Sequence, residues 1–451
     1  MVHRRNSVVT RILPAHTSSI SFKEDAVQAN EDHVSINHNI ETCTHVISSE
    51  ETLQSLRTAS KHMLTNLEPV AFPTETVFGL GAVTSSTRAV GRIFQVKGRP
   101  VDNPLIVHVS SLTMLRDKVL PEGYVMSEIY RRLVLAFWPG PLTLLFPAPA
   151  SPVGGEQQQQ QPEGKVVPIV TAGHATVAVR MPSHPVARAL IEMTGTPIAA
   201  PSANSSGRPS PTKAEHVFKD LGGKVAVILD DGGSSDVGLE STVIDGLHED
   251  GNLRVLRPGG VTVENIRRVL DEGSLSDVKI LVHRKDYFDE EQESAPTTPG
   301  MKYRHYAPTV PVILLIRAHT SSSSSSTQSL SPTSAPSHPI EDIPSLLDSL
   351  LSRFTSEQKI TFGLLFNTDS PFLNPLRAAA SSNARMSTQI HELGTSDTPQ
   401  VTAQRLFDGL LTLDNDGVDI IFVESIMETR EGLAVMNRVR KAAGETRWIA
   451  L

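Results

Sequence analysis

Apolar residues in this chain fall into short continuous runs separated by stretches in which they recur every three or four positions. That alternation marks buried strands interleaved with one-sided helices. Runs at 70–72, 176–181, 198–200, 225–229, 242–244 and 253–256 predict strands, with a further one over 105–109. Val90, Ile93 and Phe94 line one helical face that stops at Gly98. Thr212 and Glu215 form a capping box ahead of Ala214, Val217, Phe218 and Leu221, with Gly222 as the stop. These elements predict a mixed α/β first domain. A second α/β unit follows: a strand at 310–316, a helix at 346–354, a strand at 360–366, a helix carrying Leu406, Phe407, Leu410 and Leu411, and a strand at 418–423. Strand, helix, strand repetition implies parallel pairing with both sheet faces covered.

Polar tracts interrupt this pattern where no core can form. Residues 1–43 read as a disordered leader by composition. Its Arg4, Arg5 and Arg11, with no acid before Glu24, read either as a tail or as a mitochondrial address serving part of an otherwise cytoplasmic pool. The first domain is placed at 44–285 with a glutamine-rich insertion at 152–166, and the second at 310–451 with a serine-rich insertion at 318–340. The connecting segment 286–309 is no ordinary Gly/Ser tether. It carries Lys302, Tyr303, Arg304, His305 and Tyr306 between prolines.

The 451 residues exceed one ordinary core. With 39% hydrophobic and 20% charged residues the composition is that of a soluble globular protein, and no apolar run approaches a membrane span. A net charge of -8 counts against a protein devoted to gripping nucleic-acid backbone. It leaves open a local basic rim of Arg208, Lys213 and Lys224, and with it weak tRNA binding. The single Cys43 rules out an internal disulfide framework and any Cys-x-x-Cys pair. No structural metal is expected.

The candidate chemistry gathers in a few polar segments. Pro73 to Gly81 reads PTETVFGLG, and Lys97-Gly98-Arg99-Pro100 follows it, placing hydroxyls, close-approach glycines and two cations together. Glu75 cannot neutralise both cations, whereas a polyphosphate can. Neither the dinucleotide pattern nor a P-loop is present, so a nucleotide site here needs other geometry. Lys97 and Arg99 also suit a helix C-terminus, where cations complement the dipole; Asn103 and His108 directly after them add a donor and a titratable ring. Ser202, Asn204 and Ser210 lie between a strand end and a helix start, the place where α/β sheets bind anions, although a Ser/Asn-rich turn needs no ligand. Arg180 ends an apolar strand and requires a partner if buried: a ligand carboxylate, or Asp230 or Asp231.

The strings PTETVFGLG, KGRPVDNPLIVH, WPGPLTLL, TVAVRMPSHP, APSANSSGRPSPT, GLESTVID and LRPGG, in this order, resemble the threonylcarbamoyl-AMP synthase family built on the YrdC domain. PGMKYRHYAP and the α/β unit after it resemble the long, two-domain form. The resemblance implies a twisted, open mixed sheet around a large concave cavity, a smaller Rossmann-like parallel α/β C-terminal domain, and a linker lying across the active site. It implies an enzyme, a nucleotidyltransferase, that joins L-threonine, bicarbonate and ATP into threonylcarbamoyl-AMP with release of pyrophosphate, using Mg2+ with the ATP. The product would pass to a tRNA threonylcarbamoyl transferase that modifies tRNA position 37. In family terms Lys97, Arg99, Ser202 and Asn204 match the catalytic set at the nucleotide. Asn103, Thr176, Ser210, Arg257 and Tyr306 or Tyr303 match further ATP contacts. Thr76, His108, Arg180, the Ala200 backbone and Ser241 or Thr242 match threonine contacts. Phe78 stands where tyrosine is usual. The competing expectation is a non-catalytic module that binds double-stranded RNA or tRNA.

Overall fold

The computed structural model describes residues 8–22, 38–149, 166–289, 305–318 and 339–451. Contacts divide the chain into two units, 1–303 and 304–451. The first carries a mixed sheet of eleven strands in the order Arg11–Pro14, Val227–Asp230, Val70–Phe72, Gly79–Val83, Ile198–Ala199, Val107–His108, Thr176–Arg180, Leu142–Pro147, Thr242–Asp245, Leu253–Arg257 and Ile280–Val282. Its centre decides where the chemistry goes. Thr176–Arg180 pairs parallel with Val107–His108 and antiparallel with Leu142–Pro147, setting Arg180 opposite both His108 and Thr143. Because side chains alternate along a strand, these three share one face. Val107, Val179 and Leu144 turn to the other and are completely buried.

Gly79 and Gly81 are glycines for a packing reason. A Cβ on Gly81 would sit 2.6 Å from both Ile198 and Phe72. The same segment therefore forms a strand, not a phosphate loop. Helix Thr87–Lys97 starts on the Ser86 hydroxyl, which accepts from Ala89 N–H, and stops at Gly98 with φ 62°.

Two expectations about the first unit are corrected. Residues 11–14, assigned to a disordered leader, form a strand paired in parallel with Val227–Asp230, and Ile20–Phe22 pairs with His45–Ile47. Helix Ala214–Leu221 begins after Lys213, not Thr212. The chain stays extended through Lys213, and Thr212 turns its N–H to His216 Nδ1, so the expected capping box does not form. Gly222 ends that helix without a left-handed turn; it is needed because a Cβ would lie 2.5 Å from Phe218 O. Cys43 is buried, and burial pushes its thiol up to about 11.

The second unit holds a six-stranded sheet, ordered Ile340–Glu341, Glu445–Ile449, Val312–Arg317, Ile420–Glu424, Ile360–Phe366 and Met386–Glu392, with every pair parallel. Ile340 thus belongs to a strand and not to the serine-rich insertion. Leu315, Phe362, Leu364 and Phe422 form its core with helix Ile343–Leu351. Most of segment 286–309, Tyr303 included, lies outside the described residues, as do most of both insertions.

Candidate active site

Lys97, at the end of its helix, is 4% exposed. Its ammonium donates to the backbone carbonyls of Ser202 and Asn204, pinning the polar loop to the helix end. Burial, followed by the neighbouring Arg99 charge, drives its pKa well below the ordinary lysine range. Lys97 thus anchors the loop from a buried position, held by two backbone carbonyls. Arg99, half-buried, reaches the carbonyls of Asn103 and Pro104, the latter at 3.1 Å. Asn204 Nδ2 donates to Ser205 O and Arg208 O, each at 2.9 Å, which fixes the amide and leaves Oδ1 as a buried acceptor without a partner. Asn103 Oδ1 is in the same state. Ser210 Oγ donates to Glu240 Oε1 at 2.6 Å, and Glu240 is among the charges acting on Lys97.

A second cluster surrounds Arg180. Its Nη1 donates to Thr76 Oγ1 at 2.7 Å and its Nε to Gly140 O at 3.2 Å. Nη2 stands 2.6 Å from Glu75 Oε1, so the partner is Glu75 and not Asp230 or Asp231; Asp231 pairs with His184 instead. Glu75 approaches from the loop before the Gly79 strand, a neighbour no sequence spacing indicated. His108 bonds through Nδ1 to Ile106 O at 3.2 Å, and burial, with the Arg180 charge, pushes its pKa down to about 3. It is neutral here.

The two clusters meet through the GLESTVID and LRPGG segments. Arg257 donates to Ser241 O at 2.9 Å and Ser241 Oγ at 3.2 Å, and Ser241 Oγ lies 2.7 Å from Thr143 Oγ1, the strand neighbour of Arg180. Gly259 makes this approach possible, since a Cβ there would fall 2.3 Å from Glu240 O. Thr242 does not join them: its hydroxyl donates to Val261 O and accepts from Val261 N–H. Ala200 N–H is taken by Ile106 O at 3.0 Å. Thr176, four residues before Arg180 on the same face, carries a buried hydroxyl without a partner. Tyr306 is placed in the second unit, its ring 5.1 Å from Phe407 with the Arg438 guanidinium over it. Phe78 is 1% exposed, so the position usual for tyrosine is filled here by a core ring.

Two family models match the chain: one described as Telomere recombination over residues 62–259, the other as Threonylcarbamoyl-AMP synthase, C-terminal domain, over 261–444. A threonylcarbamoyl-AMP synthase of Schizosaccharomyces pombe is 38% identical, covering 96% of this chain and 97% of its own. The chain belongs to the threonylcarbamoyl-AMP synthase family. Its relative from Pyrococcus abyssi is 40% identical, covering 83% of this chain and 90% of its own. A crystal structure of P. abyssi Sua5 complexed with L-threonine superposes with a TM-score of 0.64 at 37% identity, covering 88% of this chain and 96% of that one. Within this family chain, four site-lining groups escaped the sequence reading as contacts: Glu75, Gly140, Thr143 and Glu240. Gly140 and Thr143 sit in WPGPLTLL, a string that carried the resemblance but no readable chemistry. Among the described residues no helix is long and apolar enough to cross a membrane.

Proposed function

We propose that the chain is a nucleotidyltransferase that condenses L-threonine, bicarbonate and ATP into L-threonylcarbamoyl-AMP and releases pyrophosphate. The observation that carries this reading is the set of buried polar atoms without hydrogen-bond partners on three residues expected to bind and on Glu75, the neighbour that the fold gives Arg180. They are Asn103 Oδ1, Asn204 Oδ1, Thr176 Oγ1 and Glu75 Oε2. Folded proteins rarely leave such groups unmet, and a polar ligand that completes them recovers the desolvation already spent. Family membership supplies the identity of that ligand.

In this reading Arg99, Asn103, Thr176, Ser202, Ser210 and Arg257 hold the ATP. The phosphates give Lys97 the counter-charge that burial denies it. Arg180 takes the threonine carboxylate, while Thr76, His108, Ser241 and the Ala200 backbone surround the ammonium and hydroxyl. Neutral His108 commits Nδ1–H to Ile106 O, with the Ile198 backbone also beside the ring. The two unpartnered amide oxygens suit the water shell of a magnesium ion arriving on the triphosphate. That ion would neutralise charge on the departing pyrophosphate. The remaining catalysis is positioning and charge neutralisation by side chains already held in place. The product would be handed to a transferase acting on tRNA.

The test is pyrophosphate release with each substrate omitted in turn. Release that needs threonine, bicarbonate, ATP and magnesium together supports the reading. Release without threonine, or none with all present, refutes it, and the latter is what a pure RNA-binding module would give.

A further inference from the structure

The Glu75–Arg180 pair is under-bonded for two groups so deeply buried. Their side chains are 7% and 5% exposed and approach at 2.6 Å through Oε1 and Nη2, while Glu75 Oε2 has no hydrogen-bond donor. Glu75 is nevertheless held firmly. Its carbonyl accepts from Val237 N–H at 2.8 Å, and the next turn is fixed by Thr74 Oγ1, which donates to Val77 O at 2.6 Å. A rigid carboxylate with unmet capacity beside a guanidinium is built to accept a further partner.

We propose that Glu75 receives the ammonium of the amino-acid substrate and accepts the proton this ammonium loses before its nitrogen attacks. This inference rests on the function proposed above. Charge balance is the first argument. A ligand bringing only a carboxylate to Arg180 would leave Glu75 buried without its counter-charge, whereas a zwitterion exchanges one internal ion pair for two and leaves the pocket neutral throughout. Position is the second. His108 already commits Nδ1–H to Ile106 O, and the Thr76, Thr143 and Ser241 hydroxyls are neutral and already hydrogen-bonded, so among the described residues around Arg180 the Glu75 carboxylate is the group with the charge and the free oxygen to pair an ammonium. Glu75 is the carboxylate paired to Arg180.

The step balances without any oxidant or reductant. The ammonium gives one proton to Glu75, and its freed lone pair forms the N–C bond to the bicarbonate carbon. The bicarbonate hydroxyl takes the Glu75 proton and leaves as water. A second amine proton goes to solvent, giving the carbamate and restoring ionised Glu75.

The experiment measures pyrophosphate release by the full chain carrying Glu75→Gln, Glu75→Asp or Glu75→Ala, with nucleotide affinity from a fluorescent ATP analogue and the melting temperature as checks on folding. Glu75→Gln is expected to lower kcat by about 10²–10⁴-fold, leave nucleotide affinity within about threefold, and make the residual rate climb with pH as free threonine amine becomes available. Glu75→Asp is expected to keep more activity than Glu75→Gln, and formate to raise the rate of Glu75→Ala. On the wild type, 3-hydroxybutyrate should not compete with threonine; on Glu75→Gln it should. A Glu75→Gln enzyme of near wild-type rate overturns the proposal. So does a folded but inactive one with a flat pH profile and no formate rescue. Should the wild type release no pyrophosphate with all substrates present, the function proposed above fails by itself. Calorimetric threonine binding, unchanged or weakened in Glu75→Gln, then decides the ammonium contact.

Discussion

Separating the Glu75–Arg180 pair should be costly, and removing both members should be cheap. Arg180→Met leaves the Glu75 carboxyl 5% exposed and without its cation, a situation that costs about 3–5 kcal/mol. Glu75→Leu leaves a guanidinium that still donates to Thr76 Oγ1 and Gly140 O, so the lower end of that range, about 3 kcal/mol, applies. The double variant buries no charge. It loses two hydrogen bonds at roughly 1 kcal/mol each, or about 2 kcal/mol in all. The singles thus sum to at least about 6 kcal/mol, and the coupling is about 4 kcal/mol. Urea unfolding at pH 7.5 measures it. The chain has two tryptophans, of which Trp138 is buried in the first unit and Trp448 lies in a strand of the second, so a Trp448→Phe background makes Trp138 report the relevant transition. All three variants should lose threonine-dependent pyrophosphate release. Additive single-variant costs, or singles below about 1 kcal/mol as for an exposed pair, would refute the charge coupling.

His108, with a folded pKa of about 3 against about 6.5 unfolded, binds its proton only on unfolding between those values; stability is full above pH 6.5 and lost as pH falls, by about 2 kcal/mol at pH 5. In His108→Gln, the Trp138-detected unfolding free energies at pH 7 and pH 5, from urea titration, should converge by that amount. Glu424 has the opposite sign: burial raises its pKa to about 7, so its contribution is present at acid pH and lost as pH rises through 7. Glu424→Gln keeps an acceptor for Asn367 N–H and should stabilise the second unit at pH 8 by about 1–3 kcal/mol and leave it unchanged at pH 4, read on Trp448. Gly259→Ala drives a Cβ to 2.3–2.5 Å of the Glu240–Thr242 backbone and should cost roughly 1–3 kcal/mol while raising the KM for ATP through Arg257, measured by thermal unfolding and initial rates. Valine, which lacks the hydroxyl the pocket is built to bond, should be rejected by about 10⁴-fold in kcat/KM, measured by pyrophosphate release.

The parts legible in the sequence were those in which one local pattern decides the outcome. The strand Val70–Phe72 and the strand Ile360–Phe366 are continuous apolar runs with no competing period, and both lie where the pattern put them. The Thr87–Lys97 helix carried its own stop in Gly98. Met386–Glu392 was not legible because it lies at the end of its sheet and is only half-buried, so its residues, MSTQIHE, show no buried face. Gly79–Val83 was hidden for a different reason. Its glycines answer to the Phe72 ring and Ile198, and that demand is invisible until the strands are paired. Lys97, Ser202 and Asn204 stood out because each lies in a polar segment at the end of an element, and the fold brings the three together at the Lys97 ammonium. Glu75 could not be assigned its partner, because the pairing joins residues 105 positions apart through sheet order alone.

Sheet order also sets the length of what the site can hold. Thr176 and Arg180 stand on one face of one strand, four residues apart, which is about 13 Å. Between them lies Ala178, flanked by Leu145, Ile106 and Val243 in an apolar floor. The unpartnered hydroxyl at one end and the under-bonded ion pair at the other are too far apart for any single small group to satisfy both. A nucleotide alone or an amino acid alone leaves one end unmet, whereas the two side by side, or the molecule in which they are joined, complete both. The joined molecule meets both ends while losing its translational and rotational freedom once and not twice, so the face should hold the condensed adenylate more tightly than either precursor alone. By the same reasoning it should release that product slowly unless an acceptor draws it away, so pre-steady-state pyrophosphate release should show a burst of about one equivalent per chain. A linear trace with no burst would show that the condensed product leaves as readily as it forms, and that the two polar ends do not act on it together.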